Sequence, residues 1–396
     1  MEETLSYRNT LKYFTMTLAA IVIIGVIMVY SSSYMYAKEV YGSSVYYLLR
    51  QCIYLIVSVG LCIFVAKSKY KFWYKFSYQL NIAASFILTL TFVPGLGNLA
   101  KGANRWIRLG PLSFQPGEMV KYTILLSAIY FFENFSLLDK NKKIKYAISL
   151  VYPLMLLLLQ PDFGTFSICF AVVAFACFLS SFPRKWFYSF VTSGFVLGLI
   201  LLVSQPYRVR RLLAFMDPWK NAQGSGFQVI QSWIGFANGG FFGKGPGNSI
   251  EKLFYLPEAH NDFIFSVIGE ELGFVGVFFI ISLYVSLIYF GFRLAVKAQS
   301  KISYLIITSL VFILGLQTLL NMGVVLGLLP TKGLNLPFIS YGGSSLLANF
   351  FAIGLILSAS RNRDMRQEEE QSTHESIDVH SEFRDRMRLQ GVRKEA

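Results

Sequence analysis

Long apolar segments alternate with short polar breaks along the first 360 residues. Ten such segments centre on residues 13–32, 46–66, 77–95, 118–134, 146–160, 164–181, 186–204, 263–291, 303–327 and 341–360. Apolar runs of this length, repeated along a chain, read as membrane-spanning helices rather than as the interior of a large globular core. The predicted fold is therefore an all-α polytopic membrane protein with ten transmembrane helices. The stretch Gln160–Gly164 is a tight turn between the fifth and sixth. The first run, near Phe14–Tyr30, is too long for a secretory signal and is followed by three serines, so it reads as a retained span. An N-terminal arm (1–12) precedes the membrane domain (13–360). A polar tail (361–396) with alternating charge follows it and reads as disordered. His374 and His380 lie in that tail and read as solvated.

Composition sharpens this picture. Charged residues are 15% of the chain, below the ~25% of soluble domains. Hydrophobic residues are 54% and the mean hydropathy is +0.51. The net charge of +14 would suggest nucleic acid if it were uniform, but it is not. The loops carrying Lys67–Lys75, Lys140–Lys145, Arg184–Lys185 and Arg293–Lys301, together with both termini, hold 23 of the 36 basic residues. The positive-inside rule then puts both termini in the cytoplasm and makes nucleic acid an unneeded partner. Cys52, Cys62, Cys169 and Cys177 all fall inside apolar runs, without zinc-ligand spacing, and read as small buried hydrophobes.

The opposite, extracytoplasmic side holds the unusual loops: Pro94–Gly117, Ser204–Asp262 between helices 7 and 8, and Gly327–Ser340. The middle one is longer than a connector needs to be. It opens with Arg208, Arg210 and Arg211 beside aromatics, which suits either an interfacial helix touching headgroups or a cationic site for a phosphorylated lipid. Eight glycines follow between Gly224 and Gly247. They are not a nucleotide loop, because the Walker glycine position is Asn238 and Gly245 follows Lys244. Backbone that bends in a re-entrant segment or closely approaches a ligand fits them better.

Titratable groups gather at the same edge. Pro257–Asp262 brings Glu258, His260 and Asp262 to the mouth of the eighth span, where Asp262 reads either as a helix cap or as a reactive carboxylate. Glu270 and Glu271 lie two turns further in, where carboxylates default to function or to buried pairing. Glu118 and Lys121 have ion-pair spacing on the fourth span. Asp162, Arg105, Lys332 and Ser340 complete the outward set. Carboxylates and cations on one face suit glycosyl or phosphoryl transfer at the outer leaflet. With no nucleotide motif in the chain, the energy would come from the substrate or a gradient.

The motifs Gly102–Gly110, Gln115–Lys121, Gln160–Thr165, Gly239–Gly273 and Asn321–Ser345 resemble those of the SEDS family, the group of FtsW, RodA and SpoVE. The resemblance covers nearly the whole ten-span region and favours the division and sporulation branch. It implies a peptidoglycan glycosyltransferase that polymerises lipid II beside a class B penicillin-binding protein, a transpeptidase, and other divisome proteins in the bacterial cytoplasmic membrane. It puts the essential carboxylate at Asp262 and supporting groups at Glu118, Lys121 and Asp162. Two positions depart from the family pattern: Gly117 stands for a serine and Asn261 for a threonine. The resulting expectation is that Asp262 acts as base. Arg208, Arg210, Arg211, Lys244, His260, Lys332 and Ser340 would meet the substrate. Arg105, Glu258, Glu270 and Glu271 would support them. A divalent cation, Mg or Mn, would add counter-charge, with its ligands unassigned. A lipid II flippase and a non-catalytic division scaffold are the rival expectations.

Overall fold

A computed structural model describes residues 2–100, 103–109, 112–203, 209, 213–224, 226–252 and 256–361. Arg208, Arg210, Arg211 and the tail with His374 and His380 lie outside the described residues.

Each of the ten apolar segments falls on a helix. They are α1 (Glu2–Tyr41), α2 (Tyr46–Lys67), α4 (Ser77–Leu90), α5 (Pro116–Glu133), α6 (Lys140–Leu159), α7 (Phe163–Leu179), α8 (Arg184–Val203), α10 (Ile264–Val296), α11 (Lys301–Val325) and α12 (Gly343–Arg361). The described residues also include the helices α3 (Tyr70–Lys75) and α9 (Phe227–Gly239). Of these, α1, α2, α10, α11 and α12 are long and apolar enough to cross a membrane on length and composition alone. The chain is a multi-pass membrane protein.

Helix starts follow local chemistry. Pro116 opens α5, where its missing N–H costs nothing. Asp139, Asp162 and Ser300 cap α6, α7 and α11 by accepting from Lys142 N, Thr165 N and Ser303 N.

Burial separates the inner helices from the lipid-facing ones. In α5 nearly every side chain is buried, including Lys121. The most apolar stretch of α12 is 83% buried, against 22% for α2 and α10. Ile53, Ile56 and Phe64 on α2, and Phe274, Phe278 and Val285 on α10, are exposed apolar residues of the kind that meet hydrocarbon. Polar anchors join the inner helices: Tyr122 donates to Asn349 at 2.6 Å, and the Gln115 amide donates to Ser344 at 2.9 Å.

Two features were not among the expected elements. The segment predicted as a loop after α4 is a three-stranded antiparallel sheet: β1 (Gly97–Ala100), β2 (Ala103–Leu109) and β3 (Leu112–Phe114). Alternation in β2 places Arg105 on the same face as buried Ile107. The long segment before α10 contains α9, which packs its Gly235 and Gly239 side on α10. A Cβ at Gly239 would come within 2.0 Å of the Gly269 carbonyl, so only glycine admits this crossing.

Candidate active site

The turn carrying Asp262 lies just before α10. Glu258 takes a left-handed backbone (φ 61°), and its carboxylate accepts from the Asn261 side-chain amide. The N-cap position of α10 is Phe263, which supplies no side-chain cap. Of the two readings of Asp262, helix cap or reactive carboxylate, the helix start does not use it as the N-cap residue. A capping carboxylate would be held by backbone N–H groups and weakened as a base. Asp262 stands one residue earlier and is half-buried. A Cβ built at Gly333 would lie 3.1 Å from its Oδ2, so glycine at 333 leaves room beside the carboxylate.

Three consecutive carbonyls of this turn are held from the segment between α11 and α12 and from α11 itself. The Tyr341 amide donates to His260 O at 3.0 Å, Ser340 Oγ to Asn261 O at 2.7 Å, and Asn321 Nδ2 to Asp262 O at 2.8 Å. Ser340, expected to meet the substrate, also accepts from the Leu336 amide at 2.8 Å. Its single donor is already directed to protein. His260, also expected at the substrate, is 9% exposed and sits among Tyr36, Tyr47 and Tyr341, with ring centroids 5.6, 4.6 and 5.9 Å away.

Lys332 precedes Gly333, and its ammonium lies 5.4 Å from the centroid of the Phe163 ring. Burial lowers its pKa below the usual lysine range. Phe163 follows Asp162. The Asp162 carboxylate accepts from Thr165 N and Thr165 Oγ1 (3.2 and 2.9 Å) and has Arg105 Nε 3.9 Å away. Arg105 also donates to Pro161 O at 2.5 Å, tying the sheet to the α6–α7 turn. The turn before α10, the segment after α11, the start of α7 and β2 thus meet at one end of the bundle.

Beneath them, Lys121 pairs with Glu118 at 2.9 Å, both buried. At Gly117 a Cβ would lie 3.4 Å from Thr165 Cγ2, an ordinary contact, so the departure from serine is sterically neutral. Glu270 and Glu271 are anchors. Glu270 accepts from Lys244 Nζ (3.0 Å), from Ser249 Oγ, and from the amides of Ile250 and Glu251 (3.1 and 3.2 Å). Glu271 accepts from Ser31 Oγ and Lys252 Nζ, both at 2.7 Å. Lys244, expected at the substrate, is thereby paired within the protein.

Asn321, Glu251 and Lys252 escaped the sequence reading. A signal existed for Asn321, an amide inside an apolar run. Glu251-Lys252 resembles a solvated surface pair, and only packing buries it. Among the described residues no three His, Cys, Asp or Glu side chains converge as metal ligands.

Comparison with known proteins assigns the chain to a family. Residues 11–365 match the family described as "Cell cycle protein", the FtsW, RodA and SpoVE group. The chain is 39% identical over 349 residues to the probable peptidoglycan glycosyltransferase FtsW of Geobacter metallireducens, covering 86% of this chain and 92% of that one. It is 39% identical over 364 residues to the protein of that name from Coxiella burnetii, covering 89% and 95%. Among solved structures, a peptidoglycan synthase complex that coordinates polymerization and crosslinking aligns with a TM-score of 0.69 at 31% identity, covering 88% and 97%. The rod shape determining protein RodA of Thermus thermophilus aligns with a TM-score of 0.64 at 28% identity, covering 88% and 96%. On the length and identity of these matches, the chain belongs to the FtsW, RodA and SpoVE family of cell-cycle proteins.

Proposed function

We propose that this membrane protein is a peptidoglycan glycosyltransferase that polymerises lipid II at the outer leaflet, with Asp262 as general base. The observation that carries the reading is the seating of Asp262. Asp262 precedes the N-cap residue, its turn is pinned at three successive carbonyls, and Gly333 approaches its carboxylate more closely than a side-chain-bearing residue comfortably would.

In this reading Asp262 accepts the proton of the 4-hydroxyl of the acceptor sugar. That oxygen attacks the anomeric carbon of the donor, forming the new C–O bond. The bond from that carbon to pyrophosphate breaks, and its electron pair leaves with undecaprenyl pyrophosphate. One displacement converts the α-linked donor to a β-1,4 linkage. A single base suffices, because pyrophosphate leaves readily once its charge is offset. Lys332, one residue before the glycine that approaches Asp262, is a candidate for that offset. Arg208, Arg210 and Arg211 are the further candidates, lying in the segment that opens the long loop. A divalent cation, Mg or Mn, would add counter-charge, but no residue set is assigned to it and no step here runs through it.

The membrane would be the bacterial cytoplasmic membrane, with both termini cytoplasmic and the site facing outward at the division septum. The partner class is a class B penicillin-binding protein that crosslinks the strands, within the divisome. Purified protein and labelled lipid II test the reading, with and without such a transpeptidase. Asp262→Ala should lose polymer formation by about 10²-fold or more while folding normally, as removal of a general base does. Full polymerisation by that variant, or none by the unaltered chain with its partner present, would sink it.

A further inference from the structure

We propose that Asn321 is a positioning residue for Asp262, setting the register in which the carboxylate faces Gly333. The inference rests on the reading of Asp262 as base. Asn321 lies on α11 near its C-terminal end and is 2% exposed. Its Nδ2 donates to two carbonyls at once: Asp262 O at 2.8 Å and Leu334 O at 2.6 Å. One amide group therefore bridges the turn holding Asp262 to the residue next to Gly333.

The amide orientation follows from these neighbours. The reverse orientation would aim an oxygen at two carbonyl oxygens. With nitrogen facing the carbonyls, Oδ1 is buried and has no hydrogen-bond partner. The amide satisfies two carbonyls of separate segments and leaves one acceptor of its own unpaired, whereas an apolar side chain would take this donor from both carbonyls. The amide has value here through the geometry it imposes. The other two ties, from Ser340 and Tyr341, hold the carbonyls of Asn261 and His260. The tie at residue 262 itself comes from Asn321. Without it, the base would pivot about its own peptide, and a displacement near 1 Å is enough to cost about 10²-fold in rate.

The test uses the full chain in lipid vesicles, with labelled lipid II and the transpeptidase partner. Asn321→Ala should lower kcat by roughly 30- to 100-fold and leave KM within about threefold, since the groups that bind substrate are untouched. A kcat within about threefold of the unaltered chain overturns the proposal. Asn321→Asp keeps the shape and decides the matter if the alanine variant does not fold. A carboxylate between two carbonyls repels both, whereas a protonated carboxyl donates to one. Its activity relative to the unaltered chain should therefore rise as pH falls from about 8 to about 6. A ratio independent of pH overturns the proposal. Failure of the underlying reading looks different: either the unaltered chain makes no polymer, or Asp262→Ala still does.

Discussion

At the residue scale, two acidic side chains of neighbouring segments face opposite conditions. Asp262 is half-buried beside a glycine that leaves it room. Glu251 is 3% exposed, and its Oε2 has no hydrogen-bond partner. Burial, and then the Glu270 carboxylate, push the Glu251 pKa from 4.5 to about 7, with Lys244 opposing in part. A carboxyl whose folded pKa is raised holds a proton that the unfolded chain has released. Stability from this group is therefore full below about pH 4.5 and is lost as pH rises through about 7. The loss is on the order of 1–3 kcal/mol. Glu251→Gln should remove it, so that thermal unfolding in detergent becomes flatter between about pH 5 and about pH 8. An unchanged pH dependence would refute the protonated-carboxyl account. Asp262 was legible as a titratable residue at the edge of a span. Glu251 was not, because its neighbours in sequence predict solvent and only the fold removes it.

At the element scale, α10 is broken at Gly273, which takes φ 64° inside an otherwise continuous helix. The break would leave backbone groups without intrahelical partners, and such groups are expensive unless they are paired elsewhere. The glycine-rich loop pairs with them. The Lys244 and Gly245 amides donate to the carbonyls of Glu270 and Glu271, both at 3.0 Å. The Phe274 and Val275 amides donate to Gly240 O and Phe241 O at 2.9 and 3.2 Å. This close approach explains the glycines: a Cβ at Gly273 would lie 2.3 Å from Gly243 N, and one at Gly243 would lie 2.2 Å from Glu271 O. Gly273→Ala should destabilise the protein by well over ~1 kcal/mol, since both the left-handed backbone and the contact oppose it. Gly60→Ala, in the middle of α2 with nothing within 4 Å of its Cβ, should be neutral or raise the melting temperature. Equal effects at the two sites would refute the role given to the break. The sequence suggested that these glycines serve backbone bending. It did not disclose that α10 is the partner, since residues 243 and 273 meet only after α9 has folded onto α10.

At the scale of the whole molecule, orientation was read from the Lys and Arg distribution. It assigns Leu137, in the α5–α6 connection, to the cytoplasm and Phe242, in the glycine-rich loop, to the outside. Both side chains are well exposed, at 82% and 80%. Three of the native cysteines are buried and the fourth is partly so, which leaves a low labelling background. In intact cells a membrane-impermeant maleimide should label Phe242→Cys, and should label Leu137→Cys only after permeabilisation. Labelling of both from outside would overturn the topology and the outward site with it.

What the sequence determined was the membrane class, the helix segments and the identity of the polar motifs. Apolar length and local capping are properties of contiguous residues, so α7 could be read from Asp162 and the run behind it. The sheet after α4 was missed because its pairing joins short, weakly patterned strands. Tertiary structure decided which charges are committed and which remain for chemistry. Lys244, Lys252, Glu270 and Glu271 are occupied with one another and with Ser31 and Ser249, although chain position alone made several of them candidates for the site. Ser340 and Asn321 hold the backbone around Asp262 from as far as 79 residues away along the chain. Hydrogen bonds and ion pairs act over a few ångströms in space, and only the folded bundle brings such distant residues that close.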